Sequence, residues 1–334
     1  ISSRSTWVSK PTGSRLKKPK PDVRQPKIFT TISDYSWSLF RQDALAGLTV
    51  ALVALPLSIA IAIASGATPA QGLVTAIIGG FVISLTSGSR VQIGGPTGAF
   101  IVVVYSVIAD HGYDGLVLAT LMAGAILMVA GFFRAGRLIA LVPEPVINGF
   151  TVGIAIIIAT SQLKDFLGLK MANLPAEFLP KIAVLARELP NSSLYAVGVA
   201  LLALVLMVVL RRWAPRSPSL VIGVAAGSLL AAMAALPVDT IASRFGELPA
   251  TLPVPTLPSI SAAKLLELLP SALIIAFLAG VESLLSAIVA DRMIEGHHRP
   301  NAEIMAQGYG NIASALFGGM PVTGAIARTA TNVR

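Results

Sequence analysis

Several long stretches of this chain contain no charged side chain, and this feature limits what the chain can fold into. Segments 115–133 and 218–237 are two of them. A helix of about 20 apolar residues spans the roughly 30 Å hydrocarbon core of a bilayer. Over the whole chain 54% of the residues are apolar and 12% are charged, whereas soluble domains are about 25% charged. The sequence therefore predicts an all-α polytopic membrane protein.

The apolar stretches and their Gly, Pro and charged boundaries predict about ten spans. We expect them at residues 43–64, 70–86, 95–109, 115–133, 138–162, 194–210, 218–237, 270–290, 303–317 and from 322 onward. Residues 163–193 have the mixed pattern of an amphipathic interfacial helix with Pro breaks. A second long connection, rich in Pro, covers 238–269.

The net charge of +9 comes mostly from the N-terminus. Residues 1–28 contain eight Lys or Arg and one acidic residue, while the rest of the chain has 17 basic and 15 acidic residues. A basic tail without apolar periodicity predicts a cytoplasmic arm held near anionic lipid, and it does not indicate nucleic-acid binding. An organellar transit peptide is the alternative interpretation. Arginines that cluster in short loops also favour a cytoplasmic N-terminus: Arg90, Arg134, Arg137, Arg211, Arg212, Arg216, Arg292 and Arg299.

The chain offers little for enzymatic or metal chemistry. It has no cysteine, which excludes disulfides, thiolate metal sites and a Cys nucleophile. Its three His residues, two of them adjacent in a loop, do not form a nucleophile–base set, and no P-loop or HExxH motif is present. We therefore predict neither an enzyme nor a metal or cofactor site.

A Gly- and Pro-containing break interrupts one apolar stretch, in SGSRVQIGGPTGAF (87–100). The V-Q-I segment favours extended backbone, Gly94 and Gly95 allow close approach, and Pro96 suits the first turn of a helix. Irregular backbone at membrane depth is tolerated only where it is buried in protein or lines a cavity. We expect a short extended segment and then a half-helix whose N-terminus attracts anions, with the Thr97 hydroxyl as a further donor.

A second break, GGMPVTGAIARTATNV (318–333), follows the same pattern. Thr323 and Gly324 are expected at the start of its helix. Arg328, one turn further, lies well inside an apolar segment, where a cation is costly and usually faces a cavity or a partner. Two opposed helix N-termini and one guanidinium predict an anion site. The alternatives are breaks that serve packing alone and an Arg328 that is paired or reaches an interface.

The two breaks also share a short repeat. Ala-Gln-Gly occurs at 70–72 and at 306–308, and each copy is followed by an apolar helix, a Gly-rich break and a helix containing Thr-Gly. The loop charges place the two copies in opposite directions. This pattern indicates an inverted repeat with a site where the broken helices meet. A chance match is the alternative.

Glu282 is an acidic residue within a span. It lies about twelve residues into SALIIAFLAGVESLLSAIVADRM, with Ser283 beside it and Ser286 one turn further. A carboxylate in a low-dielectric environment tends to bind a proton or a cation. We predict a role in proton or cation coupling. A structural salt bridge to Arg328 is the alternative, and the two roles are compatible.

Several of these segments resemble the sulfate permease (SulP) family of anion transporters. The stretches DALAGLTVALVALPLSIAIAIASGATPAQGL, RLIALVPEPVINGFTVGIAIIIATSQLKDFLGL and NAEIMAQGYGNIASALFGGMPVTGAIARTATNVR occur in the family's order, over about residues 40–334. The chain is most similar to the bacterial branch that includes dicarboxylate carriers, and less so to cyanobacterial bicarbonate carriers. The resemblance implies a seven-plus-seven inverted-repeat transporter fold with core and gate domains, of which about ten spans fall in this chain.

The resemblance also implies site residues. The third, tenth and first spans would line the anion site, through Thr97, Gly98, Thr323, Gly324, Ala327, Arg328, Leu57 and Ile61. Glu282 stands where sodium-coupled relatives have Asp, and Ser286 stands where they have Thr, so Glu282 implies coupling to protons rather than to sodium. The family further implies a homodimer in the cell inner membrane.

The predicted organisation follows from these comparisons. Residues 1–40 would form the basic cytoplasmic region, and 41–334 the transmembrane domain, with a first repeat at about 41–240 and the start of a second at about 268–334. The family's remaining spans and its STAS domain would follow, so we expect a truncated or incomplete chain.

The predicted function is secondary active transport of a small anion, namely a C4-dicarboxylate such as fumarate, sulfate or bicarbonate. We expect proton-coupled symport with an elevator-like movement of the core domain. The alternatives are an anion channel, an anion-binding membrane sensor or scaffold, and a nucleobase carrier of the same fold. Arg328 argues against the last of these, because a neutral ring requires acidic or amide groups.

Overall fold

The computed structural model describes residues 25–137, 144–171, 175, 178–214, 217, 219–246 and 251–333. Within these residues the chain is mainly helical. The helices are α1 Ile28–Thr31, α2 Trp37–Ala64, α3 Pro69–Val74, α4 Gly80–Thr86, α5 Ile101–Phe132, α6 Glu144–Phe166, α7 Phe178–Glu188, α8 Leu194–Trp213, α9 Ser219–Met233, α10 Ile241–Phe245, α11 Ala262–Ile294, α12 Pro300–Leu316 and α13 Ile326–Val333. A π-helical turn at Thr75–Gly79 joins α3 to α4. Two short strands, β1 Gly94–Gly95 and β2 Thr323–Gly324, complete the fold.

Five helical segments are long and apolar enough to cross a membrane: Trp37–Ala64, Pro69–Thr86, Gly98–Phe132, Leu194–Trp213 and Ala262–Ile294. They coincide with predicted spans, which confirms a multi-pass membrane protein. The predicted spans 95–109 and 115–133 form one helical segment that bends at Gly112, where φ is 70°. Glycine adopts this left-handed conformation readily. Residues 138–143 of another predicted span lie outside the described residues.

Local sequence signals explain where several helices begin. The Ser36 hydroxyl accepts from the Leu39 N–H at the start of α2. At the start of α3, Thr68 and Gln71 form a reciprocal capping box with Pro69 in the first turn. These contacts satisfy backbone N–H groups that have no partner within a helix. The polar residues before these two apolar stretches therefore set the starts of α2 and α3.

The helices form two groups. Helices α2 to α5 pack with α11 to α13, and buried side chains of α2, α5, α11 and α12 supply most of the hydrophobic core. Helices α6 to α9 form the second group, in which α8 packs on α9 and carries no fully buried side chain. Because an apolar surface is compatible with lipid, an exposed α8 is consistent with a transmembrane helix. The packed first group contains both sequence breaks.

The strands β1 and β2 pair with each other in antiparallel orientation. Gly94 lies opposite Gly324, and Gly95 lies opposite Thr323. A helical segment follows each strand, so the two half-helices leave the pair in opposite directions. The predicted half-helices preceded by short extended segments are thus confirmed. The inverted relation of two complete repeats stays a prediction.

The N-terminal end of the described chain contacts two loops. The Lys27 backbone N–H donates to the Ser87 carbonyl oxygen over 2.9 Å, and the Lys27 ammonium donates to the His297 carbonyl oxygen. The pKa of Lys27 is lowered, mainly because the ammonium is partly buried. Lys27 therefore contacts other parts of the protein through both its backbone and its side chain. Residues 1–24 of the predicted lipid-binding arm lie outside the described residues.

Helices α5 and α12 approach closely at two glycines, which leads to a stability prediction. A Cβ at Gly124 would lie 2.7 Å from Ile312 Cγ1 and 2.9 Å from the Gly308 carbonyl oxygen, closer than packing allows. We expect Gly124→Ala to destabilise the protein by about 1–3 kcal/mol, seen as a lower apparent melting temperature in detergent.

The matched control is Gly149→Ala in α6, where a Cβ would meet nothing within 4 Å. Alanine has a higher helix propensity than glycine, so this variant should melt at the same temperature or higher. Equal destabilisation by both substitutions would contradict a tight α5–α12 contact.

Candidate functional site

The two half-helices begin later than the sequence predicts. Thr97 is extended, with φ −129° and ψ 160°, and a 3₁₀ turn at Gly98–Phe100 leads into α5. Pro96 therefore lies before the first turn. Thr323 belongs to β2, and α13 begins only at Ile326. Both predicted helix starts are wrong by a few residues, because the backbone must stay extended to form the strand pair.

Side chains from other helices hold the backbone that leads into β2. Asn311 donates through Nδ2 to the Val322 carbonyl oxygen (2.8 Å) and accepts at Oδ1 from the Val322 N–H (3.0 Å). The Met320 N–H donates to Thr75 Oγ1 (2.7 Å), and Ser314 Oγ donates to the Met320 carbonyl oxygen (2.7 Å). These bonds replace the backbone partners that a continuous helix would supply.

The backbone that leads into β1 is held in a similar way. Gln92 donates through Nε2 to the Ser283 carbonyl oxygen (3.1 Å) and accepts at Oε1 from Ser286 Oγ (3.1 Å). The Ile93 N–H donates to Thr329 Oγ1 (3.1 Å). Helices α11 and α13 thus fix the first break, so each break is supported by elements remote in the sequence.

Arg328 lies directly beside the strand pair. Its side chain is 2% exposed, and Nη2 donates to Ser58 Oγ (3.2 Å) and to the Pro96 carbonyl oxygen (3.0 Å). Within the described part of the chain, Nε and Nη1 have no hydrogen-bond partner. Any Cβ at Gly95 would collide with the guanidinium. The glycine therefore makes room for a buried cation with unused donors.

Glu282 contacts the same crossing from α11. It is 5% exposed, and its Oε2 accepts from Thr97 Oγ1 over 2.7 Å. Thr97 precedes the half-helix but makes no side-chain cap, so its hydroxyl is used for the carboxylate instead. No salt bridge joins the described side chains of Glu282 and Arg328. The predicted alternative of a direct structural ion pair is therefore not observed.

The remaining predicted site residues occupy several environments. Gly98, Gly324 and Ile61 are buried, Leu57 is half-buried and Ala327 is exposed. The hydroxyl of Thr323 donates to the Ala279 carbonyl oxygen over 2.8 Å. Ser286 bonds Gln92 and Thr329 rather than Glu282. The structure thus brings Thr97, Glu282 and Arg328 to one crossing, and the anion-lining role of the others stays a prediction.

Sequence reasoning missed a set of polar residues that shape the crossing. Glu303, Gln307 and Asn311 are spaced by four residues on α12 and are all 0% exposed. This spacing places them on one face of the helix. A polar stripe at four-residue intervals in a predicted span was therefore the available signal.

These features define an integral membrane protein in which two interrupted helices meet at a buried strand pair, with a guanidinium and a carboxylate beside it. The chain belongs to the sulfate permease family, whose sequence profile matches residues 40–334. The named resemblance is thereby confirmed.

Individual relatives agree with this assignment. The chain is 42% identical over 302 residues to YvdB of Bacillus subtilis (strain 168), a protein named as a sulfate transporter by assignment. The match covers 90% of this chain and 57% of YvdB. It is 31% identical to the bicarbonate transporter BicA of Picosynechococcus, over 88% of this chain and 53% of BicA. The chain therefore spans about half the length of the curated relatives it matches.

Solved structures agree as well. The transmembrane domain of a cyanobacterial bicarbonate transporter BicA superposes with a TM-score of 0.74 at 31% identity, covering 90% of this chain and 77% of that one. The inward-facing murine anion transporter Slc26a9 superposes with a TM-score of 0.77 at 16% identity, covering 98% of this chain and 61% of that one. The second match shows the fold alone.

The support of β2 leads to a prediction about Asn311. Asn311→Ala leaves the N–H and the carbonyl oxygen of buried Val322 unpaired, which should cost roughly 2–5 kcal/mol of stability. Ser314→Ala removes one bond, to the Met320 carbonyl oxygen, and should cost about 1–3 kcal/mol. Thermal unfolding of the purified variants measures both. A smaller loss for Asn311→Ala than for Ser314→Ala would contradict this role.

Proposed function

We propose that the protein is a secondary active transporter of small anions, and that Arg328 is the principal ligand of the anion. The observation that carries this proposal is the set of unused donors on a buried guanidinium. Arginine has five N–H donors, and Nη2 uses its own on Ser58 and Pro96. Buried donors without partners are costly, and a bound oxyanion would satisfy those on Nε and Nη1.

The helix ends supply further attraction for an anion. The 3₁₀ turn at Gly98–Phe100 and helix α13 both start next to the strand pair. The first N–H groups of a helix lack internal partners and carry partial positive charge. Together with Arg328 these ends favour a small, compact anion.

The substrate class follows from this single strong cation. Sulfate and bicarbonate are named for relatives of this chain, and either can place oxygens against one guanidinium. A C4-dicarboxylate such as fumarate is the third candidate, because the chain resembles the bacterial branch that includes dicarboxylate carriers. All three present oxyanions to Arg328, so an uptake experiment must separate them.

We assign coupling to Glu282, with a proton as the coupling ion and sodium as the other candidate. Its carboxylate receives one hydroxyl, from Thr97, at the crossing where the anion would bind. A proton on Glu282 would remove a negative charge next to the incoming anion. Repulsion would fall, and anion and proton would bind together. The Ser286 hydroxyl bonds Gln92 and Thr329. Thr97, which bonds the Glu282 carboxylate directly, is therefore the residue that we expect to assist Glu282 in coupling.

The burial of the crossing supports an elevator-like movement. Thr97, Glu282 and Arg328 are each at most 7% exposed, so a substrate requires a movement that opens the site. A cavity of about 240 Å³ separates α2 from elements of the α6–α10 region. This boundary between the two helix groups is where sliding would occur. In this proposal the N-terminus is cytoplasmic, the protein is a homodimer in the cell inner membrane, and it acts as a carrier rather than an enzyme.

The first functional prediction concerns Arg328. In liposomes that contain the full-length protein, Arg328→Ala should lower the apparent affinity for the transported anion at least ~10-fold, because charge-assisted hydrogen bonds are lost. Uptake of labelled fumarate, sulfate and bicarbonate identifies the substrate. Arg211→Ala, an exposed arginine in the last turn of α8, is the matched control and should leave affinity unchanged.

The same assay tests the alternatives. Unchanged affinity in Arg328→Ala would remove it as the ligand. Binding without accumulation would favour a sensor or scaffold, and conductance far above carrier turnover would favour a channel.

The second functional prediction concerns coupling. Glu282→Gln keeps the shape of the side chain but cannot carry a proton between the two sides of the membrane. We expect an inward proton gradient to accelerate anion uptake in the unmodified protein and not in this variant. Gradient-driven uptake that matches the unmodified protein would contradict the coupling role.

A further inference from the structure

Glu303 is a buried carboxylate that the proposed transport cycle does not yet use. It lies in the first turn of α12 and is 0% exposed. Its Oε2 accepts from Ser87 Oγ (2.5 Å) and from the Gly88 N–H (3.1 Å). Its Oε1 accepts from Ser283 Oγ (2.8 Å) and from Gln307 Nε2 (2.8 Å).

These four donors match the acceptor capacity of an ionised carboxylate, which has about four lone-pair sites. A buried charge without a cation partner is costly unless hydrogen bonds stabilise it fully. Among the described residues, no Lys or Arg forms a salt bridge with Glu303. The network is therefore specific for a carboxylate at this position.

The partners of Glu303 connect both sides of the first break. Residues 87–93, here called the approach segment, lead from α4 into β1. Ser87 and Gly88 begin this segment, and Ser283 is the neighbour of Glu282 in α11. Gln92, near the end of the segment, donates to the Ser283 carbonyl oxygen (3.1 Å). Glu303 thus holds one end of the approach segment directly and the other end through Ser283.

We propose that Glu303 is a positioning residue for the anion site. Glu303 fixes the position and direction of the approach segment. The approach segment in turn positions the Thr97 hydroxyl, which contacts Glu282, and the Pro96 carbonyl oxygen, which contacts Arg328. Glu303 makes no hydrogen bond to Thr97, Glu282, Pro96 or Arg328 in the described part of the chain, so it acts on them through the approach segment and Ser283. This inference rests on the proposed function, because it concerns the geometry of that same site.

The amide of glutamine cannot reproduce the network. In Glu303→Gln one oxygen becomes an NH₂ group, which then faces two donors, either Ser87 Oγ and the Gly88 N–H or Ser283 Oγ and Gln307 Nε2. A serine hydroxyl can turn and accept from this NH₂ group, but the Gly88 N–H cannot accept, and Gln307 presents its own NH₂ group. Each orientation therefore sets at least one donor against another and displaces the approach segment or the side chains around Ser283. Small displacements of a preorganised ligand set reduce binding strongly.

The experiment measures anion uptake by the full-length protein in liposomes, with the amount of folded protein determined by size-exclusion chromatography. We expect Glu303→Gln to raise KM about 10-fold, with the maximal rate per folded molecule little changed. A residue that only stabilises the fold would lower the amount of folded protein and leave KM unchanged. Glu295→Gln, at an exposed carboxylate just after α11, is the matched control and should match the unmodified protein.

Two further variants test the route of the effect. Ser283→Ala should raise KM in the same direction, and the double variant with Glu303→Gln should be no worse than the more affected single variant. Fully additive effects would overturn the connection through Ser283. If Glu303→Gln does not fold, Glu303→Asp serves instead: it keeps the acceptors but is shorter, so a raised KM supports positioning and an unchanged KM overturns it.

The outcomes separate this inference from the proposed function. If the unmodified protein neither binds nor transports any of the three anions, the proposed function and this inference fail together. If the unmodified protein transports and a folded Glu303→Gln shows the same KM, only the positioning role of Glu303 is overturned.

Discussion

The crossing of two interrupted helices depends on one constraint, the satisfaction of backbone polar groups within the bilayer. Neither lipid nor bulk water can supply partners there. The strand pair satisfies part of the need through Gly94 and Gly324. The rest comes from side chains: Asn311 binds the Val322 backbone on one side, and Thr329 binds the Ile93 N–H on the other. Polar residues on otherwise apolar helices are thus required for the fold itself.

This requirement explains why a charge can be held at the crossing. Gly94 and Gly95 have no side chains, so there is space beside β1. The Arg328 guanidinium occupies this space next to Gly95. The guanidinium is oriented by Ser58 and Pro96 rather than by Glu282. A direct ion pair would satisfy both charges internally and leave less for a ligand. The observed arrangement instead leaves Nε and Nη1 of Arg328 without partners among the described residues, as the proposed anion site requires.

The sequence made some of these features predictable and concealed others. Arg328 and Glu282 were found because a charge in an apolar span is visible without a structure, and the Gly-Pro breaks marked both half-helices. The helix starts were missed at Pro96 and Thr323, because a strand pair between segments more than two hundred residues apart leaves no local signal. The hydrogen bonds of Ser286 to Gln92 and Thr329 likewise join segments that are remote in the sequence. The contacts of Glu303 with Ser87 and Gly88 are equally remote in the chain.

The short repeat in the sequence also changes meaning once the structure is known. Gln71 lies in the first turn of α3 and belongs to a capping box, whereas Gln307 lies in the middle of α12 and donates to Glu303. The two Ala-Gln-Gly copies therefore do not mark equivalent positions.

What recurs is the order of elements: an apolar helix, a break, a two-residue strand and a half-helix. The supporting chemistry differs as well, since a carboxylate and Gln92 hold the first break while Asn311 and Thr75 hold the second. An inverted repeat in this chain would thus preserve backbone geometry while the chemistry of the halves differs: the first half supplies the Thr97 hydroxyl, and the second half supplies Glu282 and Arg328.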